Sequence, residues 1–119
     1  MHATAAACDG NKVITKPTAT LMIQHILLLE FKENAGQNQI DAMFNQFSDL
    51  KLKINGIESI EYGPNQNPEK LNKNFTHAAL VTFSSVVARD EYLIHPDHKE
   101  LEAVLLNLLA DLVVFDIEC

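Results

Sequence analysis

Apolar and polar positions follow two different periods along this chain, and the switches between them mark its elements. Residues 22–32, MIQHILLLEFK, have the length and the β-branched and aromatic content of a strand. One face carries Ile23, His25, Leu27, Leu29 and Phe31, and the other carries Met22, Gln24, Ile26, Leu28 and Glu30. A polar loop around Gly36 follows. Ile40, Met43, Phe44, Phe47 and Leu50 then recur at helical spacing, with Asp41, Asn45 and Asp49 on other faces. Asn55-Gly56 is a turn signal that ends this helix. Ile57–Tyr62 alternates as a second strand, stopped by Gly63-Pro64, and a polar loop runs from Asn65 to Asn74. A third strand spans Phe75–Phe83, with His77, Ala79, Val81 and Phe83 on one face and Ala78 and Leu80 opposite. Ser84 or Ser85 can cap a short helix over Val86–Leu93. Beyond Pro96, Leu101, Val104, Leu105 and Leu108 stripe a helix from His98 to Leu109. Asp97 with Glu100 reads as its capping box, and Pro96 suits its start. Leu112–Ile117 is the last strand.

The order β-α-β-β-α-α-β is the split βαβ pattern of a ferredoxin-like α+β sandwich, with the two helical pieces around Pro96 acting as one broken crossover. Helices cover one face of a four-stranded antiparallel sheet. The first, third and last strands are apolar on both sides, which is unusual for an antiparallel sheet with one face in water. An uncovered face of this kind exposes roughly several hundred Å², about the limit a monomer tolerates. A second copy of the sheet is its natural cover. The expectation is a homodimer whose two sheets face each other across a two-fold axis as an α/β barrel.

Composition sets outer bounds. The 119 residues allow one domain with a real core. A formal charge of −7, with scattered basic residues, argues against a nucleic-acid surface, and no apolar stretch is long enough to span a membrane. Cys8 and Cys119 sit near opposite ends, with neither metal-ligand spacing nor a disulfide framework, so reduced thiols and a cytoplasmic setting are expected. Residues 1–21 keep no sustained period and read as a flexible leader or arm, with 22–119 as the domain and Met22 as a candidate start. No basic n-region and no apolar h-region of sufficient length precedes Cys8, so no signal peptide is expected.

Candidate chemistry gathers in Tyr92-Leu93-Ile94-His95-Pro96-Asp97-His98. A residue before proline is pushed out of the α region, which places His95 at a bend. His98 falls in the first turn of the next helix, whose positive end disfavours imidazolium. A neutral imidazole can take a proton from a carbon beside a carbonyl, and the Tyr92 phenol can hydrogen-bond the oxygen that gains charge. The simpler alternative is that Tyr92 and His98 bond each other, or backbone, and only fix the bend. His25 on the first strand and His77 on the third read first as core or interface histidines, and His95 as a cap of the bend; all three are candidate ligand-binding residues. His95, Asp97 and His98 offer donors suited to zinc, but their adjacent spacing matches no common zinc pattern, and no metal is assigned. The Met43, Phe44 and Phe47 stripe reads as core.

An ordered set of segments carries a family resemblance: Ile23-Gln24-His25, Asn55-Gly56-Ile57 leading to Tyr62-Gly63, Thr76-His77-Ala78, Phe83-Ser84-Ser85, Tyr92-x-x-His95-Pro96-x-His98, and Val113-Val114-Phe115-Asp116. Over about residues 22–118 the chain resembles the stress-responsive A/B barrel (dimeric α/β barrel) domain family. The resemblance implies a ferredoxin-like protomer and a homodimeric barrel. Some plant members are stress-induced and very stable. One plant branch is a polyketide cyclase that performs an aldol condensation without a cofactor. In that branch the phenol and second imidazole of the Tyr-x-x-His-Pro-x-His motif, here Tyr92 and His98, carry the chemistry, and the first-strand histidine, here His25, lines the pocket. That branch lines its pocket with bulky aromatics, whereas this chain has no tryptophan. Some plant members also hold a divalent cation through carbonyls after the first helix. The comparable segment, Lys51–Ile57, carries no side-chain signature for it.

Two function classes follow. One is a stress-associated homodimer that binds a small apolar or carbonyl ligand without catalysis. The other is a cofactor-independent enzyme, polyketide cyclase-like or monooxygenase-like, with His98 as base and Tyr92 as the oxygen-stabilising group. A cavity between helix and sheet that both residues reach separates a binder or enzyme from a solidly packed structural role.

Overall fold

The computed structural model describes residues 4–6, 15–17 and 21–119. Two short strands, β1 (Thr4–Ala6) and β2 (Thr15–Pro17), pair antiparallel in a sheet of their own. They lie in the span read as a leader, most of which is outside the described residues. Leu21, its last residue, is buried.

The remaining elements are β3 (Ile23–Phe31), α1 (Gln37–Lys53), β4 (Ile57–Pro64), β5 (His77–Phe83), α2 (Val86–Ile94), α3 (Pro96–Leu108) and β6 (Leu109–Glu118). They form a four-stranded antiparallel sheet in the order β4-β5-β3-β6, the ferredoxin-like α+β arrangement. Period-2 alternation decides which side of each strand is covered. Ile23, His25, Leu27 and Leu29 of β3 point to the helices with Ala79, Val81 and Phe83 of β5, and all are buried. The expected α1 stripe of Ile40, Met43, Phe44, Phe47 and Leu50 is buried against them in one core.

The opposite face is not covered by the chain's own helices. Ile26 and Leu28 of β3 lie there beside Ala78 and Leu80 of β5 and Val113, Phe115 and Ile117 of β6. Phe115 is 60% exposed.

Local chemistry fixes the ends. Gln39 reaches back to accept the Gly36 N–H at 2.9 Å at the start of α1. Gly56, at φ +90°, makes the turn from α1 into β4. Of the two candidate serines, Ser85 caps α2, its hydroxyl accepting the Ala88 N–H at 3.1 Å. The expected capping box of Asp97 and Glu100 does not start α3. His95 is the cap instead, and its Nδ1 accepts the Asp97 N–H at 3.1 Å. Pro96 forces this: with φ −68° and ψ 136°, His95 is extended and sits where a cap must be. The last strand starts earlier than expected, at Leu109, because a bulge at Glu30/Phe31 lets Phe31 pair with Leu109.

The expectation of reduced thiols is corrected at Cys119, which is disulfide-bonded. Distance along the sequence misled. β6 returns antiparallel beside β3, so that Cys119 and Met22 exchange backbone hydrogen bonds of 2.9 Å. Cys8 lies outside the described residues. No described helix is long and apolar enough to cross a membrane.

Candidate active site

The Pro96 break joins Tyr92, in the last turn of α2, to His98, in the first turn of α3. Their ring centroids are 4.1 Å apart. His98 Nδ1 lies 3.4 Å from the Leu93 carbonyl oxygen across the bend. A carbonyl only accepts, so Nδ1 carries the hydrogen in that long contact, and in the neutral ring Nε2 is left with the lone pair. Two expectations meet here. His98 touches backbone across the bend, and the pair also lines a cavity.

That cavity, about 140 Å³, lies between the sheet and the helices and is walled by His25, Leu27, Phe47, Tyr92, His98 and Leu105 among others. Its lining is mostly apolar. Tyr92 is 1% exposed. Among the described residues its hydroxyl has no hydrogen-bond partner, yet no fully buried side-chain oxygen or nitrogen lacks one. The hydroxyl therefore keeps contact with the cavity. The same holds for His98 Nε2, whose nearest charged neighbour is Glu102 Oε2 at 4.0 Å.

Burial sets the protonation states. It pushes the Tyr92 phenol well above its usual range, and the Glu102 charge adds to the effect. Tyr92 is thus a hydrogen-bond donor across the physiological range. Burial also lowers the His98 imidazole, outweighing the Leu93 carbonyl and Glu102, which favour the cation. A neutral ring was expected from the helix end, but desolvation is the main cause.

His25 stands against both rings, 6.0 Å from Tyr92 and 5.9 Å from Phe83. It is held through Asp116 and Arg89, residues to which sequence alone assigned no role. Sheet register sets it opposite Asp116, whose Oδ1 accepts from His25 Nδ1 at 2.7 Å. Asp116 Oδ2 in turn accepts from Arg89 Nη1 of α2 at 2.7 Å. The signal for Asp116 was a lone acid in an apolar strand. For Glu102 it was the i, i+4 spacing from His98.

The other two histidines stand apart. His77 lies toward the N-terminal half of α1, with Phe31 and Phe44 rings at 5.2 and 5.9 Å and Thr76 Oγ1 2.8 Å from its Nδ1. Burial lowers its pKa. His95 is spent on its cap. Neither belongs to the Tyr92–His98 cavity wall, so the structure does not gather the five candidates into one site. No group of three His, Cys, Asp or Glu among the described residues converges to hold a metal, the His95, Asp97 and His98 set included.

Known proteins share this framework. Over 94 residues the chain is 29% identical to the stress-response A/B barrel domain-containing protein HS1 of Arabidopsis thaliana, covering 79% of this chain and 86% of that protein. Over 96 residues it is 26% identical to olivetolic acid cyclase of Cannabis sativa, covering 81% of this chain and 95% of that one. A dimeric ferredoxin-like protein from Jannaschia sp. CCS1 has the same fold, with a TM-score of 0.75 and 24% identity, covering 82% of this chain and 99% of that one. The model of the stress responsive A/B barrel domain (Dabb) family matches residues 23–119, and the chain belongs to that family.

Proposed function

We propose that the protein is a homodimeric, cofactor-independent enzyme that binds a small, largely apolar carbonyl compound and removes a proton from the carbon beside the carbonyl. One observation carries this reading: the Tyr92 hydroxyl and His98 Nε2, both without a hydrogen-bond partner among the described residues, open into one apolar cavity. A cavity of this size holds a molecule about as large as benzene. In the proposed step the C–H proton goes to His98 Nε2 and the bonding pair moves into the enolate. The charge reaching the oxygen is met by the Tyr92 O–H in a mostly apolar lining. Nδ1–H, held toward the Leu93 carbonyl, keeps the ring turned for the transfer. Similarity to olivetolic acid cyclase supports reading the chain as an enzyme.

The uncovered sheet face supports the homodimer, as does the dimeric state of the Jannaschia protein. A non-catalytic, ligand-binding dimer is the second reading. The contact from His98 Nδ1 to Leu93 favours it, because that contact gives the ring structural work without any substrate.

Acetophenone in heavy water separates the two. Wild type should speed deuterium uptake at the methyl group, read by proton NMR, and His98→Ala should not. Uptake no faster than in buffer, with acetophenone bound, would leave only the binding role.

A further inference from the structure

One charged side chain lines the cavity, and the proposed reaction leaves it without a task. Among the described residues, Glu102 is the only Asp, Glu, Lys or Arg in the wall. It follows His98 by one helical turn on α3, so both present the same face to the cavity. Its side chain is 43% exposed, which places it at the mouth, while Tyr92 lies deep. Oε2 is 4.0 Å from His98 Nε2, too far for a hydrogen bond. Oε1 is 3.9 Å from Lys99 Nζ, on a side chain that is 58% exposed. An exposed pair of this kind is screened and holds weakly. The carboxylate accepts no hydrogen bond among the described residues. Behind His25 stands a second carboxylate, Asp116, already occupied by Arg89.

We infer that Glu102 sets the substrate class: the cavity takes an uncharged or cationic carbonyl compound with a hydrogen-bond donor near the carbon that loses its proton, and turns away one with a carboxylate there. The inference rests on the reading of this cavity as a carbonyl-compound site. The placement follows from distance. A carbon that gives its proton to Nε2 lies next to that nitrogen, and Glu102 is 4.0 Å from the same atom. Groups on that carbon, or one or two bonds away, come within reach of the carboxylate. An N–H or O–H there gains an acceptor that takes no other hydrogen bond among the described residues. A carboxylate there meets a like charge in a lining that offers no Lys or Arg among the described residues. The net charge of the chain, −7, works in the same direction.

Two probes of nearly equal shape, and small enough for the cavity, test it on the full chain: 4-oxopentanamide and 4-oxopentanoate, with affinities from ligand-observed NMR or calorimetry at low salt. Wild type should bind the amide at least about tenfold more tightly than the acid, the scale of one like-charge contact at a partly exposed site. Glu102→Gln should bring the two affinities together, and Glu102→Lys should reverse their order. In wild type, raising the salt concentration should narrow the difference, an arm that needs no variant to fold. Equal binding of both probes by wild type, or discrimination that survives Glu102→Gln, overturns the role of Glu102 and leaves the carbonyl site standing. Binding of neither probe overturns both.

Discussion

Tyr92 and His98 pack ring against ring across a helix break, with ring planes tilted by 37° and centroids 4.1 Å apart. In an unbroken helix, positions six apart point about 120° apart around the axis and lie about 9 Å apart along it. The pair exists because Pro96 ends one helix and starts another. The chemistry is therefore built by the backbone turn as much as by the two side chains.

Tyr92→Phe isolates the chemical part of that pair. The hydroxyl has no partner to lose among the described residues, so stability should change by no more than about 0.5 kcal/mol. Deuterium uptake should fall by about a hundredfold or more, the usual cost of one lost oxyanion donor. His98→Ala should abolish uptake with little change in melting temperature. A large fall in melting temperature with ligand affinity unchanged would support the bend-fixing role.

The pH dependence follows from the two shifted groups. His98 must be neutral to act as base, and its pKa lies below the ordinary 6.5. Activity should rise with pH through a midpoint below 6.5 and then level off. Tyr92 stays protonated beyond the ordinary 10.0, so no alkaline fall from this residue is expected below that pH. The same His98 shift affects stability. Below about pH 6.5 the unfolded chain binds the proton more readily than the native one, so this contribution is present above 6.5 and declines as pH drops through the native pKa. A rate profile with its acid midpoint above 6.5 would remove His98 as the base.

The fold was legible because the elements from β3 to β6 carry readable periods, and the α1 stripe from Ile40 to Leu50 is buried as its spacing requires. The bend at His95 was legible because proline restricts the residue before it. Its role as a cap of the bend was legible too, whereas Asp97 and Glu100 mimic a capping box two residues too late. Tyr92 and His98 were found through a local motif. Asp116 and Arg89 were not, because sheet register and helix packing bring them together over 27 residues of chain. His77 shares a strand face with buried residues, but it starts β5 at the Phe31 and Phe44 end, away from the cavity. A face can be read from a period, whereas a position along it depends on register.

Asp116 offers a test of that hidden part. It accepts from His25 with one oxygen and from Arg89 with the other. Asp116→Ala strands two partly buried donors and should cost about 1–3 kcal/mol, seen in urea denaturation. His25 then loses its fixed orientation against the Tyr92 ring. A variant as stable as wild type would show that solvent replaces the carboxylate without penalty.

Gly56 tests the turn that sets β4 against α2. At φ +90° an L side chain is strained, and an added Cβ would meet the Ala88 Cβ at 2.5 Å. Strain and overpacking each cost about 1–3 kcal/mol, so Gly56→Ala should lower stability by roughly 2–6 kcal/mol. Ala88→Gly in the same chain removes one of the two clashing atoms and should recover part of the loss. No recovery would mean that backbone strain alone sets the cost.

The open sheet face makes the last prediction. Phe115 projects from β6 opposite Ile26 of β3, with Val113 and Ile117 on the same face and Leu28 one position on. If two copies close over this face, light scattering should give twice the 13.3 kDa of one chain at micromolar concentration. Phe115→Glu would then bury a carboxylate among apolar residues. An unpaired buried charge costs several kcal/mol, enough to shift a dimer toward monomers. Within one protomer the same change faces solvent, so the secondary structure should survive, as read by circular dichroism. Two outcomes defeat the face-to-face arrangement: a wild-type mass of one chain, or a Phe115→Glu variant that still forms a dimer of unchanged affinity.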